Sequence, residues 1–216
     1  QAHGTSTAAG LMAALEELSS RPERRADILQ NHARVSDERG ATMLHLAAAK
    51  GDLSAVKLLL SHSPPVLIDS FASGGLTPLH LASQQGHAAV VAALLDAGAA
   101  ADARTATAAT ALHFACRSGP AVGSSRSSAK QRLRTIKCAQ KGTPDPQHAD
   151  PGPTALTRRD RTLCEHGADV DAAENSGGAT PLHLAARGGE TRVASLLLAH
   201  GASVASMTKD GQTCAA

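Results

Sequence analysis

The chain has 216 residues, of which 42% are hydrophobic and 1% aromatic, and its formal net charge at pH 7 is +2. With two Phe and no Trp or Tyr, a core must be built from Ala, Leu and Val, which suit closely packed helices better than a β-sandwich. The mild charge does not indicate a nucleic-acid-binding protein, and no segment approaches the roughly 20 apolar residues of a membrane span. The four cysteines are far apart, which favours reduced, buried thiols in a cytoplasmic or nuclear protein.

Residues 1–36 begin with a short polar tail and continue with the stretch LMAALEELSSRPERRADILQ at 11–30. The tail has no basic region followed by an apolar core, so we expect no secretory signal. The longer stretch mixes apolar and charged residues at helical spacing. It predicts a helical unit with one polar face.

Between residues 37 and 119, one hexapeptide recurs every 33 to 35 residues. Its copies are Thr42-Met-Leu-His-Leu-Ala, Thr77-Pro-Leu-His-Leu-Ala and Thr110-Ala-Leu-His-Phe-Ala. Thr suits a helix N-cap because its hydroxyl accepts from an unpaired backbone N–H of the first turn. Pro suits the first helical position, where its missing donor costs nothing. Each copy therefore predicts a short helix whose Leu and Ala side chains face the core.

A glycine nine residues after the Thr and a second apolar stretch complete the unit. Glycine at this place can take the left-handed conformation that ends a helix. The stretches that follow, AVKLLL at 55–60 and AVVAALL at 89–95, predict second helices. One or both of Leu94 and Leu95 are expected to be buried between neighbouring units. Glycines expected to close second helices are Gly98, Gly167 and Gly201.

Residues 120–162 break this pattern and are rich in Ser, Pro and basic side chains. Thr143 lies 33 residues after Thr110, where the next unit is due. One interpretation is a disordered insertion. We favour a degenerate pair of half-repeats, left by a frameshift or a misdrawn exon, because the 70 residues from Thr110 to Thr180 equal about two periods. A regular helix after Thr143 is forbidden by Pro144, Pro146, Pro151 and Pro153. We therefore expect the flanking blocks to be uncoupled and the block before the window to be the more stable.

The pattern returns over residues 163–216. A fourth hexapeptide, Thr180-Pro-Leu-His-Leu-Ala, is followed by a glycine nine residues later and by the apolar stretch RVASLLL at 192–198. Asp210-Gly-Gln-Thr213 opens a further copy. Because this copy is truncated, we expect the chain to be a fragment of a longer protein.

This unit of a turn and two antiparallel helices resembles the ankyrin repeat, whose signature is Thr-Pro-Leu-His-x-Ala over about 33 residues. The resemblance covers residues 37–119 and 163–216. It implies an all-α solenoid of helix-turn-helix units with short hairpin turns, capped by residues 11–36. It also implies that each repeat His bonds its Thr and nearby backbone, and that the chain is a non-enzymatic protein-interaction module.

The order of the units is similar to that of the gankyrin family, which are assembly chaperones of the proteasome regulatory particle. That family has a polar first repeat followed by six repeat starts. The matching starts here are Thr42, Thr77, Thr110, a degenerate Thr143, Thr180 and Thr213. The similarity implies a proteasome ATPase subunit as partner. The alternatives are a fragment of a signalling scaffold, a ubiquitin ligase or a palmitoyltransferase, or an enzyme whose catalytic domain lies outside these residues.

Counted from each Thr, the family resemblance places nine residues on the concave face of the stack, and we call them the binding strip. They are Glu38, Arg39, Lys50, Gln84, Gln85, Arg104, Arg117, Arg187 and Lys209. The strip is mostly cationic although the net charge of the chain is small. We therefore expect a protein partner with an acidic surface, and no cofactor, small-molecule substrate, nucleic acid or membrane. The chain is expected to be a monomer.

Other candidate sites have weaker patterns. Cys164 and His166 offer two metal ligands, but no second pair lies at zinc spacing. His113 and Cys116 share a helix but lack a free base and an orienting group, so catalysis is not predicted. The run from Arg126 to Lys141 holds six basic residues and no acid. We interpret this run as a solvated segment, with a nuclear-import or nucleic-acid patch as the alternative.

Overall fold

A computed structural model describes residues 7–32, 35–62, 68–117 and 155–214. In these ranges the chain is helical, and its β-structure is limited to isolated bridges across hairpin turns, so the predicted all-α class is confirmed. A 3-10 turn at Pro22–Arg24 joins the first two helices. The helices are α1 (Ala8–Ser20), α2 (Arg25–His32), α3 (Met43–Lys50), α4 (Leu53–His62), α5 (Pro78–Gln85), α6 (Ala88–Asp96), α7 (Ala111–Arg117), α8 (Ala155–Glu165), α9 (Pro181–Gly188) and α10 (Thr191–Ala199).

The first helix of each unit begins and ends as the hexapeptide predicts. Thr77 precedes α5 in extended conformation, and its Oγ1 accepts from the backbone N–H of His80 at 3.4 Å. Pro78 occupies the first helical position. Gly86 ends the helix with φ +80°, a conformation that costs a non-glycine residue about 1–2 kcal/mol. Local chemistry within ten residues therefore sets the bounds of this helix.

The helices form two parallel rows. First helices contact one another in the order α3, α5, α7 and α9, and second helices do so in the order α4, α6, α8 and α10. Helix α1 packs against α3 and α4 at the beginning of the stack. One hydrophobic cluster extends from Leu11 to Cys214. The expected uncoupling of the two blocks is therefore wrong, because they share a continuous core.

A histidine-to-carbonyl bond links each repeat to the next. The Nε2 atoms of His45 and His80 lie 3.1 and 3.3 Å from the carbonyl oxygens of Leu76 and Ala109, and each acceptor residue directly precedes the next repeat Thr. His113 Nε2 makes the same bond to Ala179 O at 3.1 Å. The repeat at Thr110 therefore stacks directly on the repeat 70 positions later.

The hairpin turns between repeats follow the same order. Ser73 N donates to Arg39 O at 2.7 Å, and Ala106 N donates to Gly74 O at 3.0 Å. The third link runs from Asn175 N to the carbonyl oxygen of Thr107 at 2.8 Å. Backbone bonds thus join neighbouring tips across the long sequence gap as they do elsewhere.

Helix α8 is the second helix of the third repeat, since it packs on α6 and α7. Gly167, which follows α8, lies 57 positions after Thr110, whereas the matching Gly98 lies 21 positions after Thr77. The third repeat therefore has 36 additional positions between its two helices. Its two helices, α7 and α8, pack against each other although the described residues stop at Arg117 and resume at Ala155.

This arrangement corrects two sequence predictions. The sequence predicts an irregular segment at 120–162 and a new block at 163–216. Helix α8 begins at Ala155 and runs across this boundary, so residues 162 and 163 belong to the same helix. The preference for a degenerate pair of half-repeats is also wrong, because α7 and α9 are adjacent and no repeat lies between them in the stack. Thr143 itself lies outside the described residues. Spacing alone was misleading because an insertion of 36 residues happens to be close to one period.

Candidate protein-interaction surface

Part of the binding strip forms a row on neighbouring first helices. Gln84, Arg117 and Arg187 each lie seven positions after their Thr, in the last turns of α5, α7 and α9. All three are exposed, as is Gln85 beside the first of them. Because these helices are packed side by side, the row is continuous across the insertion. The sequence therefore predicted the correct neighbours here.

Arg117 has an aromatic support. Its guanidinium carbon lies 5.1 Å from the ring centroid of Phe114, within the range of a cation–π contact. Phe114 packs edge-on against His80 of the preceding repeat, with ring centroids 5.4 Å apart and planes at 78°. Since His80 is fully buried, the aromatic pair anchors the base of an exposed cation. Arg117 is thus a positioned surface group.

The first hairpin presents Glu38 and Arg39, both exposed. The turn below them is held by Asp37, whose Oδ1 accepts from the backbone N–H groups of Arg39 and Ala41 at 2.9 and 2.8 Å. A carboxylate that bonds two backbone donors in this way is typical of a tight Asx-type turn. The tip therefore holds a cation and an anion on a fixed backbone.

Three other cations of the strip have partners within the chain. Lys50 Nζ lies 3.1 Å from Glu16 Oε1 on α1. Arg104 lies 3.9 Å from Asp169, and the ammonium of Lys209 bonds the carbonyl oxygen of a residue in the preceding hairpin. Lys50 and Arg104 are paired with carboxylates and Lys209 is held by a carbonyl oxygen, so the interpretation of the strip as one uninterrupted cationic surface is weakened.

The repeat histidines have the structural role that was predicted. In the third repeat, His113 Nδ1 lies 3.2 Å from the backbone N of Thr110, and an N–H group can only donate. Nδ1 is therefore the acceptor and Nε2 carries the proton that bonds Ala179 O. Burial lowers the pKa of His113 below its usual 6.5, and the same holds for His45 and His80. These imidazoles are neutral structural groups.

The cysteines in the described ranges are buried and free. Burial raises the pKa of Cys164 to about 12 and raises that of Cys116 well above its usual value, so neither is an activated nucleophile. His166, directly after α8, bonds the carbonyl oxygen of Thr162 at 2.9 Å. Among the described residues, no group of three or more His, Cys, Asp or Glu side chains could hold a metal ion.

Sequence reasoning missed a buried ion pair in α8. Arg159 and Asp160 are 0% and 1% exposed, and they lie eight and seven positions before Gly167. Val90 and Val91 hold these positions before Gly98 in α6, and both are buried. Burial raises the pKa of Asp160, and the adjacent guanidinium opposes the shift. Alignment of the closing glycines would have identified this charged pair at core positions.

The comparisons with known proteins agree with this architecture. A model of ankyrin repeats in three copies matches residues 11–105 and 44–124, and a single ankyrin-repeat model matches residues 177–209. The chain belongs to the ankyrin-repeat family. Ankyrin repeats form a non-catalytic fold that binds other proteins, so this stack is a protein-interaction module.

Relatives share the repeats within longer chains. The protein named Probable E3 ubiquitin-protein ligase XBOS32 from Oryza sativa subsp. japonica is 29% identical over 77% of this chain and 39% of its own length. The B-cell lymphoma 3 protein homolog of Mus musculus is 31% identical over 82% of this chain and 40% of its own. Ankyrin repeat and SOCS box protein 16 of Mus musculus is 36% identical over 79% of this chain and 31% of its own. The chain therefore spans less than half the length of each.

Within the described ranges, no helix combines the length and the apolar character needed to cross a membrane.

Proposed function

We propose that these ankyrin repeats bind a partner protein through the first-helix row of Gln84, Arg117 and Arg187, together with the hairpin tip at Glu38 and Arg39. The observation that carries the proposal is the position of Arg117. It is exposed, it is supported by a buried aromatic side chain, and it lies between two exposed polar residues on adjacent helices. Arginine is enriched at protein interfaces and among the residues that contribute most to binding.

The partner is expected to offer carboxylates. Arg39 and Arg117 have no acidic partner among the described residues, so their charge is available to a partner. A guanidinium can bind a carboxylate through two parallel hydrogen bonds. Such complementary charge increases the association rate more than it tightens the complex. Lys50, Arg104 and Lys209 contribute less, because each already has a partner in the stack.

The identity of the larger system has two candidates. A proteasome ATPase subunit was inferred from six repeat starts, and direct stacking of α7 on α9 removes Thr143 from that series. We therefore favour the alternative, in which the repeats recruit a protein to a larger signalling or ubiquitin-ligase protein. The name of the rice relative and its greater length support this candidate. A cytoplasmic or nuclear location stays a prediction.

Charge reversal tests the proposed surface. The variants Arg39→Glu and Arg117→Glu should abolish capture of the proteins that the unchanged chain retains, and association should slow at high salt. Lys57→Glu is the matched control, because Lys57 is an exposed cation on α4, outside the strip. Equal capture by all three variants, with association that is independent of salt, would reject the proposed surface.

A further inference from the structure

Most second helices have a starting point set by a short connection. Helices α4, α6 and α10 begin two residues after the left-handed glycines Gly51, Gly86 and Gly189. A two-residue connection leaves the second helix little freedom to slide. The third repeat has 36 additional positions at this place, so the length of the connection does not determine where α8 lies along its groove.

The apolar side chains of α8 whose burial is described restrict this register only in part. Between residues 158 and 165, the buried apolar side chains are Leu163 and Cys164. A shift of the helix by four residues, about one turn, would move this pair to the positions of Arg159 and Asp160. Those are the positions at which α6 carries two buried valines, so the groove accepts an apolar pair there. The shift would bring Gly167 and Ala168 to the positions of Leu163 and Cys164, so it loses part of the apolar contact but keeps an apolar pair in the groove.

The hydrogen bonds of the Arg159 guanidinium favour the observed register over the shifted one. Nη1 donates to Ser83 O and Nη2 donates to Ala115 O, both at 2.6 Å. These carbonyl groups belong to the last turns of α5 and α7, two neighbouring first helices. Nε donates to Asp160 Oδ1 at 3.1 Å, and this bond orients the guanidinium plane. The two bonds to Ser83 O and Ala115 O exist in only one position of α8, whereas the bond to Asp160 moves with the helix.

We propose that Arg159 and Asp160 set the register of α8, so that the third repeat closes in a single arrangement despite its long connection. In a shifted register, the guanidinium would leave both carbonyl groups and lose two charge-assisted hydrogen bonds, with Asp160 alone as its partner. Buried polar groups that select one register at some expense of stability are well attested in helical packing. The remaining Asp160 oxygen, Oδ2, has no hydrogen-bond partner among the described residues. The pair is thus better suited to selecting an arrangement than to adding stability.

The test replaces the pair by its counterpart in α6. Amide NMR spectra of the full chain and of the double variant Arg159→Val/Asp160→Val are compared at Leu163, Gly167 and Ala168. We expect one set of signals for the unchanged chain. For the double variant we expect doubled or exchange-broadened signals at these residues, with the signals of α3 to α6 retained.

A shortened chain without residues 120–155 is the control, because Leu156 then follows Gly119 as His87 follows Gly86. In this background, the double substitution should leave a single set of signals. Loss of α8 signals in the full chain alone would overturn the proposal, because the pair would then stabilise α8 against the cost of the long connection without selecting its register. Single native signals for the double variant in the full chain would overturn it. Equal disturbance or unfolding in both backgrounds would also overturn it, because the pair would then stabilise α8 whatever the length of the connection.

Discussion

His113 Nε2 donates to the carbonyl oxygen of Ala179 over 3.1 Å, although 66 positions separate the two residues in the chain. The equivalent histidines of the first two repeats reach acceptors 31 and 29 positions away. One interaction thus joins successive repeats regardless of how much chain lies between them. The repeats before and after the insertion therefore pack directly on each other.

Removing residues 120–155 should therefore leave a folded array. The loop-closure cost falls by about 0.6 kcal/mol for each halving of length, so we expect a gain of roughly 2–3 kcal/mol in the free energy of unfolding. Urea denaturation followed by circular dichroism measures the change. Deletion of 120–159 is the control, since it also removes Arg159 and should destabilise the array. A shortened chain that loses cooperative unfolding would contradict the stacking order.

Leu94→Ala and Leu95→Ala should each destabilise the array. The two side chains are 0% and 6% exposed in α6, and truncation of a buried Leu costs about 2–5 kcal/mol. Urea midpoints report the loss, with the exposed Lys57→Ala as a control expected to stay within about 0.5 kcal/mol. A loss below about 1 kcal/mol at both leucines would be inconsistent with their place between neighbouring helices.

Stability should fall as the pH is lowered from neutral. Burial lowers the pKa values of His45, His80 and His113 below 6.5 in the folded chain. The unfolded chain then binds more protons at a pH between the two values, so stability is present above the unfolded pKa and is lost below it. Each histidine contributes a slope of up to about 1.4 kcal/mol per pH unit.

Urea unfolding at about pH 7.5 and about pH 5.5 measures this slope. The variant His113→Asn loses hydrogen bonds and overall stability, but its slope should be smaller because one titrating group is absent. An unchanged slope in this variant would show that the buried imidazole does not contribute to the pH dependence.

Gly51→Ala should cost more than Gly98→Ala. Both glycines have positive φ, +75° and +93°, so each alanine meets about 1–2 kcal/mol of backbone strain. A Cβ on Gly51 would also lie 2.6 Å from the ring of His87, whereas nothing lies within 4 Å of one on Gly98. Overpacking of this kind adds about 1–3 kcal/mol.

Thermal or urea unfolding compares the two glycine variants, and the background His87→Ala separates strain from collision. In that background, the Gly51 and Gly98 substitutions should have similar effects. His87→Ala alone removes the bond from Nε2 to Ala49 O at 3.1 Å, so this single variant is the reference for the double-mutant cycle. A persistent difference between the two glycines would argue against the collision.

The local elements of this protein follow from its sequence. The bounds of α3, α5 and α9, the Thr caps and the left-handed glycines depend on interactions within about ten residues, and each copy of the hexapeptide contains them. The same periodicity predicted burial of the leucine pair in α6, and it placed Gln84, Arg117 and Arg187 at equivalent positions. Such features are encoded locally, so counting along the chain finds them.

The tertiary structure decided which helices are neighbours. The distance from Thr110 to Thr180 in sequence equals about two periods, yet α8 packs into the third repeat because its buried side chains fill the groove between α6 and α7. The pairing of Lys50 with Glu16 and of Arg104 with Asp169 likewise depends on distances between repeats. Sequence spacing measures the length of chain between two residues. Stacking instead depends on which surfaces can be buried together. An inserted loop changes the spacing in sequence without changing those surfaces.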